Sequence, residues 1–425
     1  MAKSDELGDL NTEYTPVDEM YLWWLTDPKA PRLVGDLTLV NRGRNVALAY
    51  APDWLRTGMP LSEDLPLEAR NFQPEQIDTA VGAVDDARPD RWGERVIRVL
   101  DKPKRLALLE YLYFAGDNRF GALGVSLSRD VYSPRWAGPL PELVDVGRVH
   151  EIVMKLNAGL AVDERERRLV NPGRSMGGAK PKSLLNMDGL PWVLKFADDY
   201  DHDWPLIEHA TMRLGQQAGI DMCETRAVTL GPRKSALAVK RFDRTANGRR
   251  LHSVSAGVVL RAAGEENGYP EFASVMRRLL KPQLHVEARV ELFRRMVFNI
   301  LCDNTDDHER NHALVHAGAD QSDGYALAPA FDVVPNMTNL KYQALRVGKE
   351  QMDSTLDNAM SECATFGLSK DAAAELIRGI CEVMAGWREF MSAQGVSARD
   401  VDALEMFIDG DKAAMRREFA HNKPR

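Results

Sequence analysis

One polar segment, residues 304–312, contains most of the groups in this chain that could perform catalysis. Asp306 and Asn311 have the D-x-x-x-x-N spacing of a protein-kinase catalytic loop, in which the aspartate accepts a hydroxyl proton and the asparagine binds Mg²⁺. A second metal-binding carboxylate is then required further along the chain. Asp332, within Phe331-Asp332-Val333-Val334-Pro335, supplies it. These spacings predict phosphoryl transfer.

The same segment also permits a different chemistry. His308-Glu309-Arg310-Asn311-His312 matches H-E-x-x-H, in which two histidines one helical turn apart bind Zn²⁺ and the glutamate activates water. That motif needs an apolar helix and a third ligand. Val315 stands where one continuation of the motif requires glycine, and Asp332 is the later carboxylate that could serve. A zinc metalloprotease is therefore one alternative, and a non-catalytic regulatory binding module is another.

A glycine loop precedes this segment. Gly173 and Gly178 have the separation of a Walker A loop, but Ala179 stands where that motif requires lysine. The two adjacent glycines still let backbone N–H groups approach an anion closely, and Lys180 and Lys182 could balance phosphate charge. A tight turn before a hairpin is the competing interpretation.

Lys195 lies in a short predicted strand, and Glu208 lies in the helix predicted after it. Protein kinases use a strand lysine paired with a helix glutamate to hold the α and β phosphates of ATP. A solvent-exposed pair is the alternative for these two residues alone. The chain order of glycine loop, lysine, glutamate, base and two metal ligands is the kinase order.

The elements that must position these residues follow from the hydrophobic patterns. Strands are predicted at 20–25, 32–40, 45–50 and 121–126, with helices at 89–100 and 105–114. Further strands are predicted at 183–186, 192–196, 226–230, 237–242 and 325–328, with a helix at 206–218. The pattern over 141–170 is helical, and its charged end at 164–168 predicts a solvated helix face. Apolar residues at 286, 290, 293, 297 and 300 predict one buried helix face.

These elements indicate four segments. Residues 1–19 are predicted to form a mobile polar tail, and 20–135 a small unit with a β-meander and helices. Residues 140–253 form an ATP-binding lobe with the glycine loop, and 254–425 form a helical catalytic lobe. The fold class is therefore α+β.

Composition excludes several classes of protein. The 425 residues include 55 Lys and Arg against 63 Asp and Glu, a net charge of −8, with 44% hydrophobic residues. Disordered, collagen-like and coiled-coil chains do not have this composition, and the net charge argues against binding nucleic acid through bulk positive charge. Four distant cysteines form no C-x-x-C pair. Because no signal peptide or bilayer-length apolar run is evident, we expect a cytoplasmic protein.

Four motifs together resemble those of the HipA-type serine/threonine kinases of bacterial toxin–antitoxin modules. Residues 175–182 are similar to the family's S-x-G-G-A-x-P-K loop, and 304–311 to its N-T-D-x-H-x-x-N signature. Residues 241–244 are similar to its R-F-D-R segment, and 327–335 to its L-A-P-x-[FY]-D-x-x-P run. Residues 60–62 and 86–98 resemble the family's N-terminal domain. The resemblance extends over about residues 20–420.

The resemblance implies a two-lobed, protein-kinase-like α+β fold with a small N-terminal domain of β-meander and helices and a mainly helical C-terminal lobe. It implies that Asp306 is the catalytic base and that Asn311 and Asp332 hold Mg²⁺. Lys195 would contact the ATP phosphates, and Ser175 would be autophosphorylated, which inactivates the enzyme. The other implied nucleotide contacts are Gly177, Gly178, Ala179, Lys180, Pro181, Lys182, Lys240, Arg241, Phe242, His308 and Phe331.

Two departures qualify the resemblance. Lys240 stands where the family has glutamate, which matters little if the adenine contact is through the backbone. H-R-D, D-F-G and A-P-E are missing from the sequence, so the chain is not a kinase of the ordinary eukaryotic type. The implied partners are a small helix-turn-helix antitoxin, operator DNA through that antitoxin, and a protein substrate such as an aminoacyl-tRNA synthetase. The implied cofactors are ATP and Mg²⁺, and no membrane is involved.

Overall fold

The computed structural model describes residues 14–163, 166–170, 178–198, 201–232, 234–316, 324–338 and 340–421. The chain forms two compact units. The first contains the chain up to Leu194 together with Asp243–Val254. The second contains Lys195–Phe242 and most of the chain after Ser255. The predicted segment boundaries at residues 135 and 253 stay predictions.

The first unit is built on an antiparallel five-stranded sheet. Its strands, in chain order, are β1 (Glu19–Trp24), β2 (Arg32–Val40), β3 (Asn45–Tyr50), β4 (Asn71–Phe72) and β5 (Leu123–Ser126). The spatial order is β4-β3-β2-β1-β5. Met20, Leu37, Leu48 and Phe72 are register partners across four strands, and all are buried. This row forms because alternate residues of a strand share one face.

Four helices and a hairpin complete the first unit. They are α1 (Pro52–Thr57), α2 (Arg91–Leu100), α3 (Leu108–Phe114), α4 (Val146–Asn157), β6 (Lys182–Met187) and β7 (Leu190–Lys195), whose last residue is the first of the second unit. α3 begins three residues later than predicted because Glu110 accepts hydrogen bonds from the Ala107 N–H and the Arg105 side chain. The helix predicted over 141–170 is shorter. The predicted solvated face at 164–168 is wrong at Glu166, which is buried and paired with Arg148 and Lys155, while residues 164 and 165 lie outside the described residues.

The second unit contains two short antiparallel strand pairs among helices. β8 (Thr225–Gly231) pairs with β9 (Lys234–Lys240), and β11 (Ala313–His316) pairs with β12 (Tyr325–Leu327). β10 (Ser253–Ser255) lies where the chain passes from the first unit to the second, before the main helical region. The helices are α5 (Trp204–Gln217), α6 (Ala256–Ala263), α7 (Tyr269–Leu279), α8 (His285–Cys302), α9 (Leu356–Ser361), α10 (Lys370–Ala385), α11 (Trp387–Ala393), α12 (Ala398–Ile408) and α13 (Gly410–His421).

α8 is the central helix of this unit, and α7 and α10 pack against it. Phe293, Val297 and Ile300 are fully buried, as predicted. Val286 is 48% exposed and Val290 is half-buried, so the predicted buried face does not include the first two turns. All four cysteines belong to the second unit and are buried free thiols. Within the described part of the chain, no helix has both the length and the apolarity needed to cross a bilayer.

Candidate active site

The second unit brings Lys195, Glu208 and Asp332 together. β7 ends at Lys195, whose ammonium nitrogen lies 2.6 Å from Oε1 of Glu208 on α5 and also forms an ion pair with Asp332. Lys195 and Glu208 are 5% and 3% exposed, so the prediction of a solvent-exposed pair is excluded. Burial alone would lower the pKa of Lys195, but the charges of Asp332 and Glu208 hold it above its ordinary value. The lysine is therefore a fixed cation.

The segment carrying Asp306 begins directly after α8. Asp303 ends the helix in a left-handed conformation, with φ 65°, and this turns the chain sharply. The backbone N–H of Ala344 and the side chain of Asn336 both donate to Thr305, at 3.1 and 2.8 Å. Asp306 itself is exposed to solvent. A fixed backbone therefore presents a carboxylate that can accept a proton from an incoming hydroxyl group.

Asn311 and Asp332 offer oxygen atoms suited to a hard cation. Oδ1 of Asn311 is buried and has no hydrogen-bond partner among the described residues, while its Nδ2 donates to the carbonyl of Asp306 at 3.4 Å. Asp332 has a left-handed φ of 60° and a side chain that is 21% exposed. Its neighbours Phe331 and Val333 line the same small cavity as Asn311. One amide oxygen and one carboxylate fit Mg²⁺, which commonly binds through one or two protein carboxylates and keeps several waters.

A buried hydrogen-bond network, which the sequence did not predict, lies next to the exposed Asp306. Asp307 is 1% exposed and accepts hydrogen bonds from the Tyr269 hydroxyl, from Asn299 at 2.9 Å and from His312 at 2.8 Å. Burial alone would raise the pKa of Asp307, but His312 and the Tyr269 hydroxyl hold it below its ordinary value. No spacing in the sequence could have indicated these partners of Asp307, because Tyr269 and Asn299 belong to two different helices.

The H-E-x-x-H segment lacks the geometry that a zinc site needs. His308 and His312 are both extended, and the 3-10 turn Glu309–Asn311 lies between them. His308 is half-buried and accepts a hydrogen bond from the Arg310 N–H at 3.3 Å, while Nε2 of His312 is bonded to Asp307. The described residues contain no group of three His, Cys, Asp or Glu side chains placed to hold a metal. The helical setting assumed by the protease interpretation is therefore wrong.

The glycine loop is described in part, since Ser175 and Gly177 lie outside the described residues. Gly178, Ala179 and Lys180 are exposed, whereas Pro181 and Lys182 are buried. Nζ of Lys182 donates to the Gly178 carbonyl at 2.6 Å and to Asp90 at 3.0 Å. The ammonium of Lys182 thus holds the loop to the start of α2, and its predicted phosphate contact stays a prediction. Asp90 lies within residues 86–98, which resemble the family's N-terminal domain.

The segment predicted to hold adenine follows β9. The Lys240 side chain lies 3.0 Å from Glu224, and its N–H donates to the Glu224 carbonyl at 2.9 Å. Arg241 is buried, and the ring of Phe242 stacks on Phe331 with centroids 5.5 Å apart. The Lys240 side chain is therefore paired with an exposed glutamate. The presence of lysine in place of the family's glutamate would affect adenine binding only through the backbone.

Two family models match this chain. Residues 174–387 match the HipA-like C-terminal domain, and residues 29–126 match the HipA N-terminal domain. A Haemophilus influenzae protein named "Putative kinase" is 24% identical, over 43% of this chain and 61% of that relative. "Putative kinase Y4dM" of Sinorhizobium fredii is 26% identical, over 44% of this chain and 46% of that relative. The matched region thus spans about half the length of these relatives.

A solved structure shows the fold. The Shewanella oneidensis MR-1 toxin–antitoxin complex of HipA, HipB and operator DNA contains a chain that matches with a TM-score of 0.66. The match has 18% identity and covers 94% of this chain and 96% of that chain. The predicted α+β, kinase-like fold is confirmed by this likeness.

Proposed function

This chain belongs to the HipA family, and on that premise we propose that it transfers the γ-phosphoryl group of ATP to a serine or threonine hydroxyl of a protein. One observation carries the proposal: a buried lysine joins a helix glutamate to Asp332, in the same unit as the exposed Asp306. Phosphoryl transfer needs positioning and charge stabilisation more than covalent chemistry from the protein. The two "Putative kinase" relatives support it.

In this mechanism Asp306 accepts the proton of the attacking hydroxyl as the new O–P bond forms and the bond to the β-phosphate oxygen breaks. Lys195 holds phosphate oxygens with the charge that Glu208 stabilises. Mg²⁺, held by Oδ1 of Asn311 and the Asp332 carboxylate, would neutralise charge on the phosphate oxygens. The Asn311 bond to the Asp306 carbonyl couples the metal ligand to the base.

The adenine ring is proposed to lie against the backbone of residues 240–242. The stacked pair of Phe242 and Phe331 supports this placement, because it gives an aromatic surface beside that segment and next to Asp332. His308, Gly177 and the exposed residues 178–180 are the remaining proposed nucleotide contacts.

Regulation and partners are proposed from the family. Autophosphorylation of Ser175 would add about −1.5 to −2 charges beside the triphosphate and so inactivate the enzyme. The related Shewanella chain was solved with HipB and operator DNA, which supports a helix-turn-helix antitoxin as partner, bringing this chain to DNA. We propose that the chain is the toxin of such a module, acts in the cytoplasm, and has a protein substrate of the aminoacyl-tRNA synthetase class.

The test is incubation of the full chain with Mg·ATP, followed by mass spectrometry and peptide mapping. We expect added phosphate on Ser175, and Asp306→Asn should lower the rate by about 10²- to 10⁴-fold because the proton acceptor is lost. Mg·ATP binding should survive in that variant. Asp188→Asn, the same change in an exposed turn, is the matched control.

Three outcomes contradict the proposal. A wild-type rate in Asp306→Asn would show that another group is the base, and phosphate mapped only to other residues would exclude Ser175. No phosphoryl transfer and no Mg·ATP binding would favour the regulatory module. A zinc-dependent activity abolished by His312→Ala, with Asn311→Ala active, would favour the metalloprotease.

A further inference from the structure

The last helix of the chain places a buried lysine next to the loop that carries Asp306. Lys412, on α13, is 7% exposed and forms an ion pair with Asp303, which is 2% exposed. A lysine is rarely buried unless it is paired. Burial lowers the pKa of Lys412 and raises the pKa of Asp303, and each charge opposes that shift in the other group. Each group therefore depends on the other to remain charged.

Asp303 determines how the chain leaves α8. Its backbone is left-handed, a conformation that few residues other than glycine, asparagine and aspartate adopt. Its carbonyl accepts hydrogen bonds from the N–H groups of Asn336 at 2.8 Å and Thr305 at 3.0 Å. Asn336 also holds the Thr305 side chain. The position of Asp303 therefore influences the position of Asp306 through its hydrogen bonds with Thr305 and Asn336.

The same helix offers an internal comparison. Asp411, adjacent to Lys412, pairs with Lys341, but those side chains are 73% and 64% exposed. Exposed ion pairs contribute little because water screens them, whereas breaking a buried pair leaves an uncompensated charge. Two neighbouring ion pairs of α13 thus differ in environment, and the buried one is adjacent to the catalytic loop.

We propose that Lys412 is a positioning residue for phosphoryl transfer, which it supports by holding Asp303 and thereby the orientation of Asp306. The proposal rests on the proposed kinase function. Lys412 lies outside residues 174–387, which match the family's C-terminal domain. The active site therefore depends on a helix beyond that matched region.

The test compares Lys412→Met, Lys412→Arg and Lys341→Met in the full chain. We expect Lys412→Met to lower kcat by about tenfold to a hundredfold, because a small displacement of the base slows transfer strongly. The KM for ATP should change by about twofold or less, since the nucleotide contacts are retained. Lys412→Arg should recover most of kcat, and Lys341→Met should leave kcat unchanged.

A second readout does not require activity. Hydrogen exchange of the Asn304, Thr305 and Asp306 amides should be faster in Lys412→Met and unchanged in Lys341→Met. If wild-type chain transfers no phosphate, the kinase proposal fails, and this exchange still tests the anchoring role. If the Lys412→Met variant does not fold, the double variant Asp303→Asn/Lys412→Met takes its place in the comparison, because it removes both charges of the pair.

Two results would overturn the proposal. One is wild-type kcat and wild-type amide exchange in Lys412→Met. The other is a fall in kcat matched by an equal loss of Mg·ATP binding, with no recovery in Lys412→Arg, which would indicate general destabilisation.

Discussion

Asp307 is a buried carboxylate whose environment predicts that the stability of the fold depends on pH. Its carboxylate is buried and accepts three hydrogen bonds, which hold its pKa below its ordinary value. A lowered carboxylate pKa stabilises the folded state fully above the unfolded pKa of about 3.9, and the contribution is lost as pH falls through the folded pKa. The free energy of unfolding should therefore fall steeply below about pH 4.

Asp307→Asn should flatten that acid limb, because the group that takes up the proton is gone. At neutral pH it should also lower the free energy of unfolding by about 2 kcal/mol, since hydrogen bonds to a charged acceptor are lost. Tyr269→Phe removes one of the three donors and should flatten the limb in part. Urea unfolding from pH 3 to pH 7 measures both effects. An acid limb in Asp307→Asn as steep as in the wild type would assign the acid sensitivity to other groups.

Spacing along the chain predicts roles for single residues where their chemistry depends on that spacing. The D-x-x-x-x-N spacing and the later carboxylate single out Asp306, Asn311 and Asp332 as candidates, and Asn311 and the residues flanking Asp332 line one cavity. Asp307 and Lys412 were missed because their partners are distant in sequence. The partners of a buried charge become neighbours only when the chain folds, so no spacing in the sequence could have identified those contacts.

Among the elements, the glycine loop before β6 is described from Gly178 onward, and the surroundings of Gly178 permit a direct test. No described atom lies within 4 Å of the position that a Cβ on Gly178 would occupy. Gly178→Ala should therefore change the free energy of unfolding by less than about 0.5 kcal/mol. If the proposed phosphate contact is correct, Mg·ATP binding should weaken by about tenfold, because a methyl group would occupy space close to the backbone that is proposed to bind phosphate. Calorimetric titration and urea unfolding measure the two quantities.

Gly231→Ala is the matched control, since Gly231 also has no described atom within 4 Å of its Cβ position. It should leave both binding and stability unchanged. Equal Mg·ATP affinity in Gly178→Ala and wild type would show that the loop does not approach the nucleotide closely at Gly178.

Strand bounds were predicted unevenly: the strand predicted at 237–242 is β9, Lys234–Lys240, whereas β2 and β3 match their predicted bounds. The alternation that predicts β2 and β3 gave their bounds without error, because one buried face fixes the register. Helix ends depend on side chains that cap or fold back, as Glu110 and Arg105 do at α3. The first turn of α8 carries an exposed valine. A hydrophobic period of 3.6 residues identifies the side of a helix that can be buried, but it does not show how far along the helix other elements cover that side.

At the scale of the whole molecule, composition and motif order indicated an α+β chain, and the Shewanella structure confirms that fold. The division into units was not apparent from the sequence, because the first unit is discontinuous and includes the distant segment Asp243–Val254. Such a return depends on contacts between distant segments, for example Asp243 accepting a hydrogen bond from the Gly121 N–H at 2.7 Å.

The confinement of all cysteines to the second unit gives each unit its own spectroscopic reporter. Six of the eight tryptophans belong to the first unit: Trp23, Trp24, Trp54, Trp92, Trp136 and Trp192. Burial raises the pKa of the Cys302 thiol to about 12 and that of Cys381 to about 11, which suppresses the reactive thiolate. In native protein we expect thiol reagents to react about 10³-fold more slowly than with an unfolded chain.

Along a urea titration, thiol modification therefore follows the opening of the second unit, while indole fluorescence follows mainly the first. Coincident midpoints would show one cooperative transition, and separate midpoints would show that the two units melt independently. Rapid modification of all four thiols without denaturant would contradict the burial described above. The cysteine thiols and the tryptophans of the wild-type chain therefore report, without added labels, whether the two units unfold cooperatively.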